Sequence, residues 1–184
     1  MFSDSDLRLI TTQKNIESTK ISEIIMYYTI TPSPYGDIAL TANEQGLTAL
    51  SFQQSASPLI IDKSYTESDE NFIVVCKQLG EYFSGERTVF NLPLAPLGTP
   101  FQQKVWQALT TIKQGDTQSY LWIAKKINNE KAVRAVGAAN GKNPIALIIP
   151  CHRVIGSNGK LTGYAGGLGL KAKLLMHEKA HFTV

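Results

Sequence analysis

The sequence has few of the residues that build disulfide frameworks and metal sites. Its 184 residues include two cysteines and three histidines, and it contains no C-x-x-C motif. Two cysteines do not make a disulfide framework, and so few ligands give no convincing zinc site. No apolar run approaches the length that spans a bilayer, and Met1–Lys20 lacks the basic and apolar regions of a secretory signal. We expect a reduced, cytosol-like protein without metal, in which residues 1–23 form a poorly ordered extension.

Two glycine motifs of common enzymes are also absent. Neither the G-x-x-x-x-G-K-[ST] spacing of a phosphate-binding loop nor the G-x-S-x-G turn of a serine hydrolase occurs. Six of the fourteen glycines nevertheless fall between Gly156 and Gly169. The segment Gly163–Gly167 has two interpretations. It is a flexible surface loop, or it is the wall of a pocket for a flat, flipped-out base, which its backbone N–H groups and the Tyr164 ring would suit.

Acidic residues are scarce in the C-terminal half. From Met1 to Ala95 the chain has 6 Lys and Arg against 12 Asp and Glu, a net charge of −6. From Pro96 to Val184 it has 12 against 3, a net charge of +9. A basic half joined to an acidic half suggests that one half meets a polyanion such as a nucleic acid, although such asymmetry also arises by chance in soluble proteins.

The N-terminal half has the pattern of a small antiparallel sheet followed by a helix. Turn residues separate three short β-type runs: Ile25–Thr31, Asp37–Ala42 and Leu47–Phe52. The polar segment Gln53–Ser68 predicts a loop. Asp69–Phe83 predicts a helix that ends at Gly85, because its apolar residues recur on one face. Cys76 lies on that face, so we expect it to be buried and inert.

The C-terminal half has the pattern of a helical domain. Three prolines and a glycine in Asn91–Pro100 place the domain boundary near residue 95. Downstream, three helices are predicted: one that starts at Pro100 with Thr99 as its cap, one over Ser119–Ile127, and one over Glu130–Ala139 that Asn140-Gly141 closes. The second and third helices flank the turn Asn128-Asn129 and form a candidate helix-turn-helix.

The third of these helices is rich in small residues and has one long cation, Arg134. Its small residues are Ala132, Ala135, Gly137, Ala138 and Ala139. Small side chains allow the close approach of another element. That element is either a second helix or a DNA groove into which Arg134 projects, and the sequence leaves both interpretations open.

An apolar run, Ile145–Ile149, predicts a buried strand or extended segment that leads into Pro150-Cys151-His152-Arg153. A nearby imidazole or guanidinium stabilises a thiolate, the nucleophilic form of cysteine. A catalytic imidazole in turn needs a carboxylate to hold its tautomer. Glu178, in the last predicted helix (Lys171–Lys179), is the natural candidate in a half with three acidic residues. The alternative is a structural cysteine beside a surface histidine.

Further strings of residues complete the pattern around the cysteine. They are Asn143-Pro144, Ile149-Pro150-Cys151-His152-Arg153-Val154, Gly163-Tyr164-Ala165-Gly166-Gly167, Gly98-Thr99-Pro100-Phe101-Gln102, Val105-Trp106 and Arg134-Ala135-Val136-Gly137. In this combination the C-terminal half closely resembles the O6-alkylguanine-DNA alkyltransferases (methylated-DNA–protein-cysteine methyltransferases). The resemblance is continuous from about Leu94 to Ala180 and looser before it, and the Pro-Cys-His-Arg-Val string is highly specific.

The resemblance implies a fold in two domains and an activity on DNA. Residues 24–95 would form a ribonuclease-H-like α/β domain, and residues 96–184 a mainly α, winged-helix-like domain that carries the helix-turn-helix. The implied activity is direct reversal of damage, in which the alkyl group of O6-alkylguanine moves once and irreversibly to Cys151. The implied partner is double-stranded DNA with alkylated bases. No cofactor is implied, and the protein would be a monomer in the cytoplasm, or in the nucleus of a eukaryote.

The resemblance also implies the roles of individual residues at the reacting centre. Cys151 accepts the alkyl group, His152 removes the thiol proton through a water, and Glu178 orients His152. Asn143 shapes the turn, and Tyr164 donates to the purine as it leaves. The base is contacted by the backbone of three residues: Cys151, Val154 and Ala165.

Other residues are implied to contact the duplex. Arg134 enters the duplex and fills the gap that the flipped base leaves, and Tyr120 lies beside the rotated phosphate. The recognition helix enters the minor groove, which suits its small residues: Ala132, Ala135 and Gly137.

The sequence departs from the family pattern at Leu121-Trp122, where small or polar residues are more common, and at Lys173, where an aromatic residue is common. The first departure keeps open the alternative of a sensor that recognises alkylated DNA without repairing it. Two further alternatives are a helix-turn-helix regulator and a hydrolase that pairs Cys151 with His177 or His181.

Overall fold

The N-terminal half of the chain forms a four-stranded sheet. The computed structural model describes residues 24–183, so the extension predicted for residues 1–23 lies outside the described residues. The strands are β1 (Tyr27–Thr31), β2 (Ile38–Asn43), β3 (Gly46–Phe52) and β4 (Thr66–Glu67). They lie in the order β3-β2-β1-β4, and β2 in the middle is almost entirely buried.

The first three strands pair antiparallel, as the alternation of runs and turns predicted. Tyr27 lies opposite Ala42, and Ile38 lies opposite Phe52. The segment Gln53–Ser68, predicted as a loop, contributes the additional short strand β4, which pairs parallel with β1 and makes the sheet mixed. Two exposed polar residues carry no alternating pattern, so this strand left no sign in the sequence.

A helix follows the sheet where it was predicted. A 3₁₀ turn over Glu70–Phe72 leads into α1 (Ile73–Phe83). The buried residues of this helix are Val75, Gln78, Leu79 and Tyr82, and Phe72 in the preceding turn is buried with them. Cys76 lies beside these residues and is half-buried, so the prediction of full burial was wrong. Burial nevertheless raises the pKa of its thiol, which keeps it protonated.

Four helices form the C-terminal half: α2 (Pro100–Leu109), α3 (Tyr120–Lys126), α4 (Val133–Gly141) and α5 (Leu168–His177). The predicted cap of α2 is present as a full capping box, because Thr99 Oγ1 accepts from the Gln102 amide and the Gln102 side chain accepts from the Thr99 amide. Trp106 Nε1 donates to the Ala139 carbonyl over 2.9 Å and so joins α2 to α4.

The helix-turn-helix is formed by α3 and α4. Ser119 caps α3 and accepts from the Trp122 amide, and Asn128 takes a positive φ of 56° in the turn that follows. The second helix begins later than predicted, because Glu130–Ala132 forms a 3₁₀ turn, and it continues through Gly141. The last helix is also shifted. It begins at Leu168 and ends at His177, which places Glu178 at its C-cap.

The run Ile145–Ile149 is buried, but it is not the predicted strand or extended segment. Its backbone folds into tight turns, in which the Ile149 amide donates to the Ile145 carbonyl and Leu147 has a φ of 70°. A continuous apolar run reports burial without reporting the backbone conformation that achieves it. In this run the backbone forms hydrogen bonds within turns. Of its residues, only Ile145 forms an isolated β-bridge, which pairs it with Leu50.

A second, two-stranded parallel sheet positions the region around Cys151. Its strands, β5 (Gln118–Ser119) and β6 (Val154–Ile155), were not predicted. Because β5 leads directly into α3 and β6 follows the cysteine turn, this pairing holds the start of the helix-turn-helix next to that turn.

The two halves share one hydrophobic core, which contains residues of the first sheet, α1, α2 and α5 together. Backbone hydrogen bonds also cross between them, since the Leu50 amide donates to the Pro144 carbonyl over 2.9 Å and the Ala146 amide donates to the Leu50 carbonyl over 3.0 Å. No helix within residues 24–183 is long and apolar enough to cross a membrane.

Candidate active site

Cys151 begins the buried 3₁₀ turn Cys151–Arg153, and the residue is only 4% exposed. Asn143 Nδ2 donates to Cys151 Sγ over 3.1 Å and to the Ile149 carbonyl over 2.7 Å. The oxygen of the same amide accepts from the Ile145 backbone over 3.1 Å. Asn143 therefore ties the thiol to the turns that precede it.

The environment of Cys151 keeps its thiol protonated at rest. Burial raises the pKa of the thiol, while the hydrogen bond from Asn143 and the positive charge of Lys171 act in the opposite direction without cancelling the effect. A thiol of this kind needs a base at the moment of reaction.

His152, which follows Cys151 in the chain, forms a pair with Glu178 whose side chains are fully buried. His152 Nε2 lies 3.0 Å from Glu178 Oε1. The carboxylate holds the ring proton on Nε2, which leaves Nδ1 with its lone pair. Within residues 24–183, Nδ1 has no hydrogen-bond partner. Burial lowers the pKa of His152 although Glu178 raises it, so the imidazole is neutral and able to accept a proton at Nδ1.

Arg153 is directed at Glu178 rather than at the thiol. Its Nε donates to Glu178 Oε2 and its Nη2 to Oε1, each over 2.8 Å, and its Nη1 donates to the Ile112 carbonyl over 2.6 Å. The expectation that this guanidinium could stabilise the thiolate was therefore wrong. Burial alone would raise the pKa of Glu178, but the hydrogen bonds and charges of His152 and Arg153 outweigh it and hold the pKa well below its usual range.

Lys171 is a buried cation at the site that the sequence analysis missed. Its Nζ donates to the Val154 carbonyl over 2.5 Å and to the Thr162 carbonyl over 2.8 Å, and burial lowers its pKa to about 8. The sequence did contain a sign of this burial, because Lys171 lies on the same helical face as three other buried residues: Leu174, Leu175 and Glu178.

A cavity of about 430 Å³ opens beside Cys151. Asn143, Tyr164 and Ala165 line it from the C-terminal half. Val154, which was also expected to contact the base, is fully buried and is not among the residues that line this cavity. The N-terminal half supplies the opposite wall, which includes Phe52 and the segment 57–60. The volume lies within the range of roughly 300–1,000 Å³ that is usual for small-molecule sites.

Tyr164 presents a protonated hydroxyl to this site. The hydroxyl is buried without a hydrogen-bond partner in the described part of the chain. Burial, followed by the charges of Cys151 and Glu178, raises its pKa well above the ordinary value, so it can act as a donor. Gly166 packs against the ring so closely that a Cβ there would lie 2.6 Å from Tyr164 Cε1.

The predicted duplex-contacting residues lie on α3, α4 and the turn between them. Arg134 and Ala135 are exposed in the first turn of α4, whereas Ala132 is half-buried in the preceding 3₁₀ turn. Gly137 faces Tyr120, since a Cβ at Gly137 would lie 3.8 Å from that ring. The Tyr120 hydroxyl accepts from Thr162 Oγ1 over 3.1 Å.

The structure does not bring the other two histidines to Cys151. His177 Nε2 lies 2.9 Å from the Tyr82 carbonyl, and His181 is exposed with its carbonyl accepting from Thr117. This removes the geometric basis of a hydrolase that pairs Cys151 with either of them. Across residues 24–183, no three His, Cys, Asp or Glu side chains are close enough together to hold a metal ion.

Comparison with known proteins identifies the class that this fold and site define. The family model described as 6-O-methylguanine DNA methyltransferase, ribonuclease-like domain, matches residues 26–96. The model described as 6-O-methylguanine DNA methyltransferase, DNA binding domain, matches residues 100–180. The chain therefore belongs to the 6-O-methylguanine DNA methyltransferase family, and the resemblance seen in the sequence is confirmed.

Individual relatives are similar over most of their length. The methylated-DNA–protein-cysteine methyltransferase of Methanosarcina acetivorans is 51% identical over 153 residues, which cover 83% of this chain and 98% of the relative. The constitutive methylated-DNA–protein-cysteine methyltransferase of Bacillus subtilis is 44% identical over 161 residues, covering 85% and 97%. The crystal structure of Mycobacterium tuberculosis OGT in complex with DNA has a TM-score of 0.78 and 46% identity, covering 83% and 92%.

Proposed function

We propose that this protein repairs DNA by direct reversal, moving the alkyl group of O6-alkylguanine onto Cys151 in one irreversible turnover. The observation that carries the proposal is the Cys151 thiol at the wall of the 430 Å³ cavity, in the residue directly before His152 of the buried His152–Glu178 pair. Membership of the family supports it, since relatives are named methylated-DNA–protein-cysteine methyltransferases and OGT has been crystallised with DNA.

His152 is the proposed base. Its Nδ1 takes the thiol proton through one water, and Glu178 stabilises the imidazolium that forms. The raised pKa of Cys151 makes this transfer necessary and protects the thiol from other reagents until the alkyl group is in place. Asn143 donates to Sγ and aligns it with the cavity.

The transfer itself is an in-line displacement at carbon. The thiolate attacks the alkyl carbon, a C–S bond forms, and the bond from that carbon to guanine O6 breaks. The electron pair passes to the guanine, which takes a proton from the Tyr164 hydroxyl as it leaves. The proton that His152 took from Cys151 then restores the Tyr164 hydroxyl, so the net change is the movement of the thiol proton to the guanine. We assign the backbone of Cys151, Val154 and Ala165 to the base. No second nucleophile is assigned to cleave the thioether, so each molecule acts once.

The proposed partner is double-stranded DNA that contains an alkylated base. The net charge of +9 in the C-terminal half favours contact with phosphates. We assign α4 to the minor groove, with Arg134 filling the gap that the flipped base leaves and Tyr120 beside the rotated phosphate. The small side chains that allow close approach are assigned to the same contact: Ala132, Ala135 and Gly137. The protein would act as a monomer, without a cofactor, in the compartment that holds the DNA.

Intact mass spectrometry tests the transfer. Wild type and Cys76→Ala, mixed with excess duplex carrying one O6-methylguanine, should each gain one methylene unit of about 14 Da and stop at one equivalent. Cys151→Ala should gain nothing. Repeated turnover, or a gain on any other residue, would overturn the assignment.

A matched pair of variants tests the assignment of Arg134. Flipping a base costs a few kcal/mol, so Arg134→Ala should slow transfer from duplex DNA by about tenfold or more. It should leave transfer from a free O6-alkylguanine base unchanged. Lys131→Ala removes a neighbouring exposed cation and should have a much smaller effect on the duplex reaction.

A lesion sensor is the second candidate, and it rests on Leu121-Trp122. Leu121 is exposed on α3, and Lys126 Nζ lies 5.4 Å from the centre of the Trp122 ring, an arrangement that a small, polar pair of residues would not make. Binding of the alkylated duplex without any mass gain would favour the sensor. Leu121 and Trp122 would then be the first positions to replace with small or polar residues.

A further inference from the structure

Tyr82 of α1 reaches across from the N-terminal half to the acidic residue of the site. Its hydroxyl donates to Glu178 Oε1 over 2.8 Å, and Tyr82 itself is completely buried. Burial, followed by the charge of Glu178 and the hydrogen bond to it, raises the pKa of the phenol far above its ordinary value. The hydroxyl therefore stays protonated and can only be the donor in this bond.

Glu178 Oε1 receives three donors in the described part of the chain, whereas Oε2 receives one. The three are the Tyr82 hydroxyl at 2.8 Å, Arg153 Nη2 at 2.8 Å and His152 Nε2 at 3.0 Å. A carboxylate oxygen has about two lone-pair sites, so these donors compete for it. The longest of the three bonds is the one to His152.

Several aromatic rings pack against Tyr82 and hold its side chain in place. The His177 ring lies 4.9 Å from the Tyr82 ring, and His177 Nε2 lies 2.9 Å from the Tyr82 carbonyl. Phe83 and Phe90 pack against the Tyr82 ring on other sides, at 5.2 and 5.5 Å between ring centres. The end of α1 is therefore docked on the end of α5, where Glu178 lies.

We propose that Tyr82 is a positioning residue for alkyl transfer. Its hydroxyl, which comes from the N-terminal half, hydrogen-bonds the Glu178 carboxylate and so weakens the tendency of that carboxylate to favour protonation of His152. The proposal rests on the proposed function. A hydrogen bond that stabilises the carboxylate leaves less negative charge to stabilise an imidazolium. Tyr82 thereby keeps His152 neutral, and ready to take the thiol proton, over a wider range of pH.

Other groups around the His152–Glu178 pair also affect the protonation of His152. Arg153 and Lys171 carry positive charges that also oppose protonation of His152, and Cys151 and Tyr164 are the titratable groups on the side of the cavity. The His177 ring packs against Tyr82, and Tyr35 packs against His177 and acts electrostatically on Tyr82. None of them changes in a Tyr82→Phe variant, which keeps the ring and removes only the donor.

The test measures the transfer rate of the full chain against pH, using rapid quenching with the O6-methylguanine duplex. For Tyr82→Phe we expect the acid limb of the profile to move to higher pH by about one unit, with the plateau at higher pH unchanged. At a pH on that limb the rate then falls up to tenfold. Tyr28→Phe is the matched control, because it removes a hydroxyl that donates to Glu67 over 3.4 Å at the surface, and its profile should equal that of wild type.

NMR titration of the His152 ring tests the same idea without DNA, with the signals of His177 and His181 identified by substitution. The midpoint of His152 should rise in Tyr82→Phe. If that variant does not fold, 3-fluorotyrosine placed at position 82 is a stronger donor and should move the midpoint down. If neither the pH–rate profile nor the titration midpoint of His152 moves in the variant, the proposed role of Tyr82 is overturned. Absence of transfer in wild type would instead overturn the proposed function, while the NMR titration still decides the role of Tyr82.

Discussion

The buried ion pair of Glu178 allows a test of the energetics of charge burial, because the described part of the chain also contains a less buried arginine–carboxylate pair. Glu178 is 0% and Arg153 8% exposed in their side chains, whereas Glu81 and Arg87 are 24% and 27% exposed. In both pairs the arginine donates through two nitrogens to the carboxylate. Arg153 donates to both oxygens of Glu178, and Arg87 donates to Oε2 of Glu81. Glu178→Gln and Glu81→Gln therefore remove the same charge from an arginine–carboxylate pair in two different environments.

The expected losses of unfolding free energy differ several-fold. Breaking a buried pair by removing one partner costs about 3–5 kcal/mol, since the remaining charge stays buried without compensation. In Glu178→Gln the charge left without compensation is that of the Arg153 guanidinium. The new side-chain amide also places its NH₂ group opposite one of the donors that bonded the carboxylate. A pair near the surface contributes about 0–1 kcal/mol, and we expect a loss of this size for Glu81→Gln in the half-buried Glu81–Arg87 pair. A domain is stable by only about 5–15 kcal/mol, so the first loss is a large share.

The pH dependence of the unfolding free energy shows whether the loss in Glu178→Gln comes from the missing charge or from altered packing. The pKa of Glu178 in the folded protein lies well below its ordinary value of 4.5. The unfolded chain therefore takes up the proton first as the pH falls. The stability that the carboxylate contributes is complete above pH 4.5 and is lost progressively below it. The difference between wild type and Glu178→Gln should stay constant from pH 7 to about 5 and shrink at lower pH.

Urea unfolding of the three proteins at several pH values measures these differences, provided that the slopes of the transitions agree. A Glu178→Gln loss no larger than the Glu81→Gln loss at pH 7 would refute the assignment of a buried, charged pair. A difference that does not shrink in acid would show that shape rather than charge causes the loss.

Three further predictions concern stability, each measured by urea unfolding. Lys171→Met leaves the Val154 and Thr162 carbonyls without their donor and should cost about 1–3 kcal/mol. The pKa of Lys171 falls from 10.5 to about 8 on folding, so between these pH values the unfolded chain binds the proton and the folded protein does not. The stability of wild type relative to Lys171→Met should therefore rise between pH 8 and 10.5, and a constant difference would contradict the pKa shift. Gly98→Ala places a Cβ 2.5 Å from the buried Trp106 ring and should cost about 1–3 kcal/mol, whereas Gly80→Ala, in open space on α1, should stabilise by up to about 1 kcal/mol; equal effects would refute the contact. Thr99→Ala removes the capping box of α2 and should cost about 1 kcal/mol, and no loss would mean that the cap is not formed in solution.

Several elements could be predicted because their causes are local. The capping box at Thr99 and the three antiparallel runs depend on residues a few positions apart, so their patterns are visible in one dimension. Cys151, His152 and Asn143 were also predictable, since they lie within nine residues of one another and the string around the cysteine is specific to a family. In the structure Asn143 Nδ2 donates to Cys151 Sγ and His152 contacts Glu178, while the roles of these residues in the reaction stay predictions.

Other features required the fold because their partners are remote. The parallel strands β4, β5 and β6 contain two residues each, too few to show a period, and they exist only because a distant segment pairs with them. The apolar run at Ile145–Ile149 was correctly predicted to be buried and wrongly predicted to be extended. The orientation of Arg153 toward Glu178 was decided by where α5 ends.

The sequence by itself determined the chemistry of this protein: a cysteine, an imidazole and a carboxylate in a family-specific order, on a basic domain with a helix-turn-helix. Only the tertiary structure decided how reactive these groups are. Burial raises the pKa of Cys151 and lowers that of His152, and Tyr82, which is 96 residues from Glu178, shares the carboxylate that acts on His152. The physical reason is that desolvation and hydrogen bonding depend on distances in space, which a linear pattern does not contain.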